Sequence, residues 1–218
     1  MFRMDVITMF KNRHQIIAMT IVIIFGIGLF YIGTDGFQAY TAETARTNKL
    51  VDEKPKFPDV TLEDSKEREY SFTEFAGQYV MITFIYTACS DVCPQLEMNL
   101  ADVYNSIPEQ YIGEDIVFLS ISFDPTRDDP QTLERYRQYF GSDGETWRMA
   151  RINDQEELDA LLNEFEVIVI PDGEGDFAHN SAFYLVDPDG YLQDVMDFTE
   201  IEAASEKVNS ILEQEEGE

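Results

Sequence analysis

Two apolar runs, Tyr79 to Tyr86 (YVMITFIY) and Ile116 to Phe123 (IVFLSISF), decide most of what this chain can become. Both are near-continuously apolar, broken by Thr83 in the first and by Ser120 and Ser122 in the second. Each therefore reads as a strand buried on both faces, and such a strand belongs inside a parallel sheet covered by helices. The neighbouring segments supply those helices. Asp91 to Ile107 reads as a helix directly after the first run. Asp128-Asp129-Pro130 opens another, with aspartate as cap and proline in the first turn; it runs through Tyr139, with Gly141 just past its end. Trp147 to Ile152 is a short strand. Asp154 to Phe165 carries Leu158, Leu161, Leu162 and Phe165 at helical spacing. Ser181 to Val186 is a further strand, Asp187-Pro188-Asp189-Gly190 a turn, Tyr191 to Phe198 its hairpin partner, and Glu200 to Leu212 a closing helix. Ahead of all this, Val60-Thr61-Leu62 and Glu69 to Phe72 form two short strand-like stretches about an Asp64-Ser65 turn. Strands alternating with helices, then an antiparallel hairpin and a last helix, give the α/β layout of a thioredoxin-like fold, a central mixed sheet flanked by helices.

A third apolar run is of another kind. From His14 to Thr34 no residue carries a formal charge, counting histidine neutral, and Ile16 to Ile32 is almost wholly apolar. At about 1.5 Å per helical residue it spans the roughly 30 Å bilayer core. Arg3, Lys11 and Arg13 precede it against a single Asp5, and Asp35 and Glu43 follow. The positive-inside tendency predicts a single-pass anchor in the cell membrane, with the N-terminus cytoplasmic and the main domain extracytoplasmic. The alternative is a cleaved signal peptide, but the run is longer than the roughly 7–15 residues usual for such a segment and Ala39-Tyr40-Thr41 is a poor cleavage site. The expected organisation is a cytoplasmic tail over 1–13, the transmembrane anchor over 14–34, a polar tether without hydrophobic period over 35–55, a single thioredoxin-like domain over 56–212, and an acidic tail over 213–218. Asp and Glu number 43 against 15 Lys and Arg, a formal net charge of −28. Such a surface repels nucleic acid and excludes DNA or RNA as a partner. It suits a solvated exterior in a salty or alkaline milieu.

The chain has two cysteines, four residues apart, in Cys89-Ser90-Asp91-Val92-Cys93-Pro94, between the first buried strand and its helix. A domain outside the membrane faces an oxidising space, where a cysteine pair is often a structural disulfide. A bridge across four residues closes a very short loop and adds little by loop entropy. Soft-metal binding and thiol redox chemistry are the readings left. A helix N-terminus favours the thiolate, which serves both as ligand and as nucleophile. The spacer separates them better. C-x-x-C is the usual dithiol oxidoreductase signature, whereas C-x-x-x-C puts both sulfurs on one helical face.

Of the two histidines, His14 lies at the membrane flank and His179 just before the strand at 181–186. In a thioredoxin-like fold the loop entering that strand faces the dithiol, so Cys89, Cys93 and His179 form a candidate metal site. Three ligands fall short of the four of a structural zinc centre, whereas thiolate and imidazole both suit Cu(I). Asp124, at the carboxyl end of the second buried strand, is a candidate to orient His179 or to meet a docking protein; a plain turn starter before Pro125 is the alternative.

Three segments taken together resemble the Sco/SenC family of membrane-anchored copper-delivery proteins: Phe84 to Pro94, Ser120 to Asp128, and His179 to Gly190, in that order. The likeness covers roughly 56–212. Ser90 departs from it, standing where proline is common after the first cysteine. The resemblance implies copper, Cu(I) and also Cu(II), on Cys89, Cys93 and His179, with Asp124 matching the family aspartate. It also implies a metallochaperone role in maturing the dinuclear copper centre of cytochrome c oxidase subunit II. Some members are described instead as thiol-disulfide reductants of that centre's cysteines, with Cys89 and Cys93 as the redox pair, and this alternative stays open.

Overall fold

The computed structural model describes residues 13–33, 41–173 and 175–215. The tail expected over 1–13 lies outside them except for Arg13, as do residues 34–40 and the last three residues of the acidic tail. The chain divides into two units, Met1–Lys49 and Leu50–Glu218.

In the first unit, helix α1 covers Arg13–Gly33. Its stretch Gln15–Gly33 is long and apolar enough to cross a membrane, and none of its side chains is buried against protein. Helix α2, Ala42–Glu53, runs from the first unit into the second and occupies most of the segment expected to be a polar tether. Thr41 caps it, accepting from the Thr44 amide at 3.0 Å. The helix was hidden because it buries only Leu50, and one apolar position sets no period.

The second unit is built on a seven-stranded sheet: β1 (Thr61–Asp64), β2 (Glu69–Ser71), β3 (Tyr79–Ile85), β4 (Ile116–Ser122), β5 (Trp147–Arg151), β8 (Phe183–Val186) and β9 (Leu192–Met196), in spatial order β2-β1-β5-β4-β3-β8-β9. A short 3₁₀ turn, Phe72–Phe75, follows β2. Strands β3, β4 and β5 run parallel, with Thr83 opposite Ser120 and Ile85 opposite Ser122. Strands β1 and β8 join antiparallel at either side. Every residue of β3 and β4 is buried, as two-sided burial requires. Helices α3 (Val92–Ser106), α4 (Pro130–Arg137), α5 (Gln155–Glu164) and α6 (Ile201–Glu215) complete the unit. On one face Thr83 and Ser120 meet Glu97 of α3, and α3 packs on α6. On the other, Phe84 and Tyr184 meet Phe165 at the end of α5. The turn at 187–190 closes as expected; Gly190 takes φ +86°, a conformation open to glycine, while the Asp187 carboxylate accepts from the amides of Asp189 and Tyr191.

One element was not anticipated. Strands β6 (Val169–Pro171) and β7 (Phe177–His179) pair antiparallel as a separate two-stranded sheet, Val169 opposite His179. Their three-residue strands leave Ile168 and Ile170 at least half exposed, so no buried period marks them. Pro171-Asp172-Gly173 was the available signal, a turn former between two short apolar stretches.

Candidate metal centre

The cysteines stand at the carboxyl end of the sheet. Strand β3 ends at Ile85, the chain turns through Tyr86–Cys89, and α3 begins at Val92. Asp91 precedes α3 but makes no capping hydrogen bond through its side chain. Its place is taken by sulfur: the Cys93 amide donates to Cys89 Sγ at 3.3 Å, which meets one of the unpaired amides of the first turn. Both thiols are free and buried. Burial pushes the Cys93 thiol well above its ordinary range, with Cys89 adding to the shift and the Tyr86 backbone opposing it.

His179 arrives from the other sheet. Its Nε2 lies 3.4 Å from Cys93 Sγ, and its Nδ1 lies 3.1 Å from the Asn180 carbonyl and 3.3 Å from the Ser181 hydroxyl. A carbonyl only accepts, so Nδ1 carries the proton and Nε2 turns its lone pair to Cys93. Burial holds the imidazole below its ordinary pKa, opposed by the Asn180 carbonyl. The ligand atoms of Cys89, Cys93 and His179 all lie within 4.8 Å of one another. Two sulfurs and one neutral nitrogen converging in a buried spot form a soft donor set.

Phe123 packs on the His179 ring at 5.0 Å and Tyr86 at 6.2 Å, both edge to face. Phe177, beside His179 on β7, meets Tyr86 at 5.1 Å and Phe123 at 5.5 Å. Tyr86 Oη donates to Asp176 at 3.1 Å and accepts from the Phe177 amide at 3.4 Å. These contacts pin the hairpin over the dithiol.

Asp124 does not orient His179. Its carboxylate is ion-paired with Arg127 and accepts from the Thr126 hydroxyl at 3.2 Å, while the imidazole uses Asn180 and Ser181. Asp124 acts at one remove, because the Arg127 guanidinium it holds lies over the rings of Tyr86 and Phe177. The sequence also concealed Asp128. Either aspartate of Asp128-Asp129-Pro130 could have capped α4. Asp129 does so, accepting from the Thr132 amide at 2.7 Å, and Asp128 turns inward.

A dithiol and an imidazole gathered at the carboxyl end of a thioredoxin-like sheet define a protein of thiol and soft-metal chemistry. Residues 49–213 match the SCO1/SenC family, and the chain belongs to it. The SCO1 protein homolog of Bacillus subtilis (strain 168) is 29% identical over 132 residues, 60% of this chain and 67% of that protein. A Stutzerimonas stutzeri protein named for copper binding is 29% identical over 150 residues, 66% of this chain and 70% of that one. The structure of Bradyrhizobium japonicum ScoI with copper bound shares the fold, with a TM-score of 0.60 and 24% identity over 71% of this chain and 98% of that one.

Proposed function

We propose that this chain is a membrane-anchored, extracytoplasmic copper metallochaperone. It holds one copper ion through Cys89, Cys93 and His179 and delivers it to the dinuclear copper centre of cytochrome c oxidase subunit II. The observation that carries the reading is convergence: three ligand atoms from distant parts of the chain lie within 4.8 Å of one another. Family membership and a relative named for copper binding support it. Two thiolates and an imidazole suit Cu(I), and three donors leave structural zinc one short. Helix α1 serves as the anchor, with Arg3, Lys11 and Arg13 keeping its N-terminal side in the cytoplasm.

The test is anaerobic Cu(I) titration of the full chain in detergent, with X-ray absorption to count ligands. The expected result is one copper per chain in a shell of two sulfurs and one nitrogen. His179→Ala weakens binding sharply, and either Cys→Ser nearly abolishes it. Copper must displace the proton that burial keeps on Cys93, whereas His179 is already neutral near pH 7. Apparent affinity therefore rises with pH, by about tenfold per unit for each proton displaced. A shell lacking two sulfurs overturns the reading.

A second reading has one observation behind it, the closeness of the two free sulfurs. As a reductant, Cys89 would attack an acceptor disulfide and expel one acceptor thiolate. Cys93, losing its proton, would then displace the second, leaving a Cys89–Cys93 disulfide and a reduced acceptor. Disulfide reduction indifferent to copper and to His179→Ala is the result that favours it.

A further inference from the structure

We propose that Asp128 is a positioning residue that sets where Cys89 stands, and with it the spacing of the donor set. This rests on the copper reading for its ligand, while its geometry belongs to the fold. After β3 the chain makes a turn closed by the Cys89 amide donating to the Tyr86 carbonyl at 3.3 Å, with Thr87 and Ala88 at its centre. Thr87 gives two hydrogen bonds to one carboxylate: its amide donates to Asp128 Oδ2 at 2.9 Å and its hydroxyl to Oδ1 at 2.5 Å. At the end of β4, the Ser122 hydroxyl donates to the same Oδ2 at 2.5 Å. The Asp128 amide in turn donates to the Asp124 carbonyl at 3.0 Å.

Asp128 is wholly buried, and a buried carboxylate is tolerated only where donors meet it. Three do, two of them from the cysteine turn. Helix α4 has no need of Asp128, because Asp129 caps it. The carboxylate therefore ties the cysteine turn to the neighbouring strand end. Cys89 follows two residues after Thr87, and its sulfur accepts from the Cys93 amide. A turn released from Asp128 loses the constraint that keeps Cys89 Sγ close to Cys93 and His179.

The experiment uses the full chain in detergent with two readouts: Cu(I) affinity by chelator competition, and the rate of Cys89 alkylation by iodoacetamide in reduced, copper-free protein. Asp128→Ala should lower affinity by about 10–100-fold, the usual loss when a partner behind the ligands is removed, and should speed alkylation. Asp128→Asn should largely restore both, since its amide oxygen can accept from Thr87 and Ser122 while its nitrogen donates to the Thr87 hydroxyl. Asp143→Ala is the control. That carboxylate accepts from the amides of Glu145, Thr146 and Trp147 at the opposite end of the sheet, and its loss should lower thermal stability without moving either readout. Should Asp128→Ala fail to fold, Thr87→Val decides, with a smaller change in the same direction. Wild-type affinity and alkylation in Asp128→Ala, or in Thr87→Val where it decides, overturn the proposal, as does an equal response to Asp143→Ala. A wild-type chain that binds no copper overturns the functional reading alone, because alkylation still reports on Asp128.

Discussion

The two sheets of this domain hold their share of the proposed metal site by different means. The cysteines follow directly on the seven-stranded sheet, in the turn after β3 and at the start of α3, and β3 and β4 are laddered together and buried along their whole lengths. Behind it, hydroxyls reach buried acids: the paired Thr83 and Ser120 donate to Glu97 at 2.6 and 2.7 Å, and Thr87 and Ser122 donate to Asp128. The β6–β7 hairpin carries His179 on three-residue strands that share no ladder with the larger sheet. It is held by side chains: Phe177 between Tyr86 and Phe123, Arg127 over Phe177, and Asn180 accepting from the Ile168 amide at 2.7 Å. The difference teaches that the sulfurs are built into the frame, whereas the imidazole is clipped onto it.

The largest effect that sharpens this contrast lies in the frame. Burial pushes Glu97 up to about 7 from an ordinary 4.5, with the Thr83 and Ser120 hydroxyls opposing. The folded chain keeps a proton that the unfolded chain gives up. The stability this contributes is whole below about pH 4.5 and is lost as pH rises to about 7, some 3 kcal/mol in all. Glu97→Gln should therefore gain about 3 kcal/mol on the wild type between pH 4 and pH 8 in denaturant unfolding. Parallel pH curves for the two proteins would remove Glu97 from this role.

A smaller effect probes the clip. Phe177→Ala gives up part-buried aromatic contacts worth about 1–2 kcal/mol. Hydrogen exchange should quicken at Ile170 and Ala178 and stay unchanged at Met81 to Ile85, with Cu(I) affinity falling about tenfold. Equal acceleration in β3 would show that the two regions open together and would break the comparison. The smallest effect is at the N-terminal cap of α5. Asp154 accepts from the amides of Glu156 and Glu157 at the start of α5. Asp154→Ala should cost about 1 kcal/mol of global stability, with no change in hairpin exchange or copper affinity. A shift in either would tie α5 to the clip.

The same contrast explains what could be read from the sequence. The frame announces itself: near-continuous apolar runs give β3 and β4, and helical spacing of leucines gives α5. The thiols were legible because they follow such a run directly. The position of His179 was legible only through the expected fold, since its strand buries too little to form a pattern. Helix α2 was missed for a like reason, with Leu50 as its one buried residue. Asp124 and Asp128 could not be told apart by roles, because which of several neighbouring carboxylates turns inward depends on a backbone path that local pattern does not encode.

Unequal fastening has a consequence for how cargo would leave. A bound ion is given up bond by bond, and the first bond to yield belongs to the arm with least backing. Here that arm is the imidazole, whose support rests on three aromatic rings. An incoming acceptor would then find an ion still gripped by two sulfurs, with one side bare. On the copper reading, such a half-open grip would keep the ion held until its destination had already taken hold.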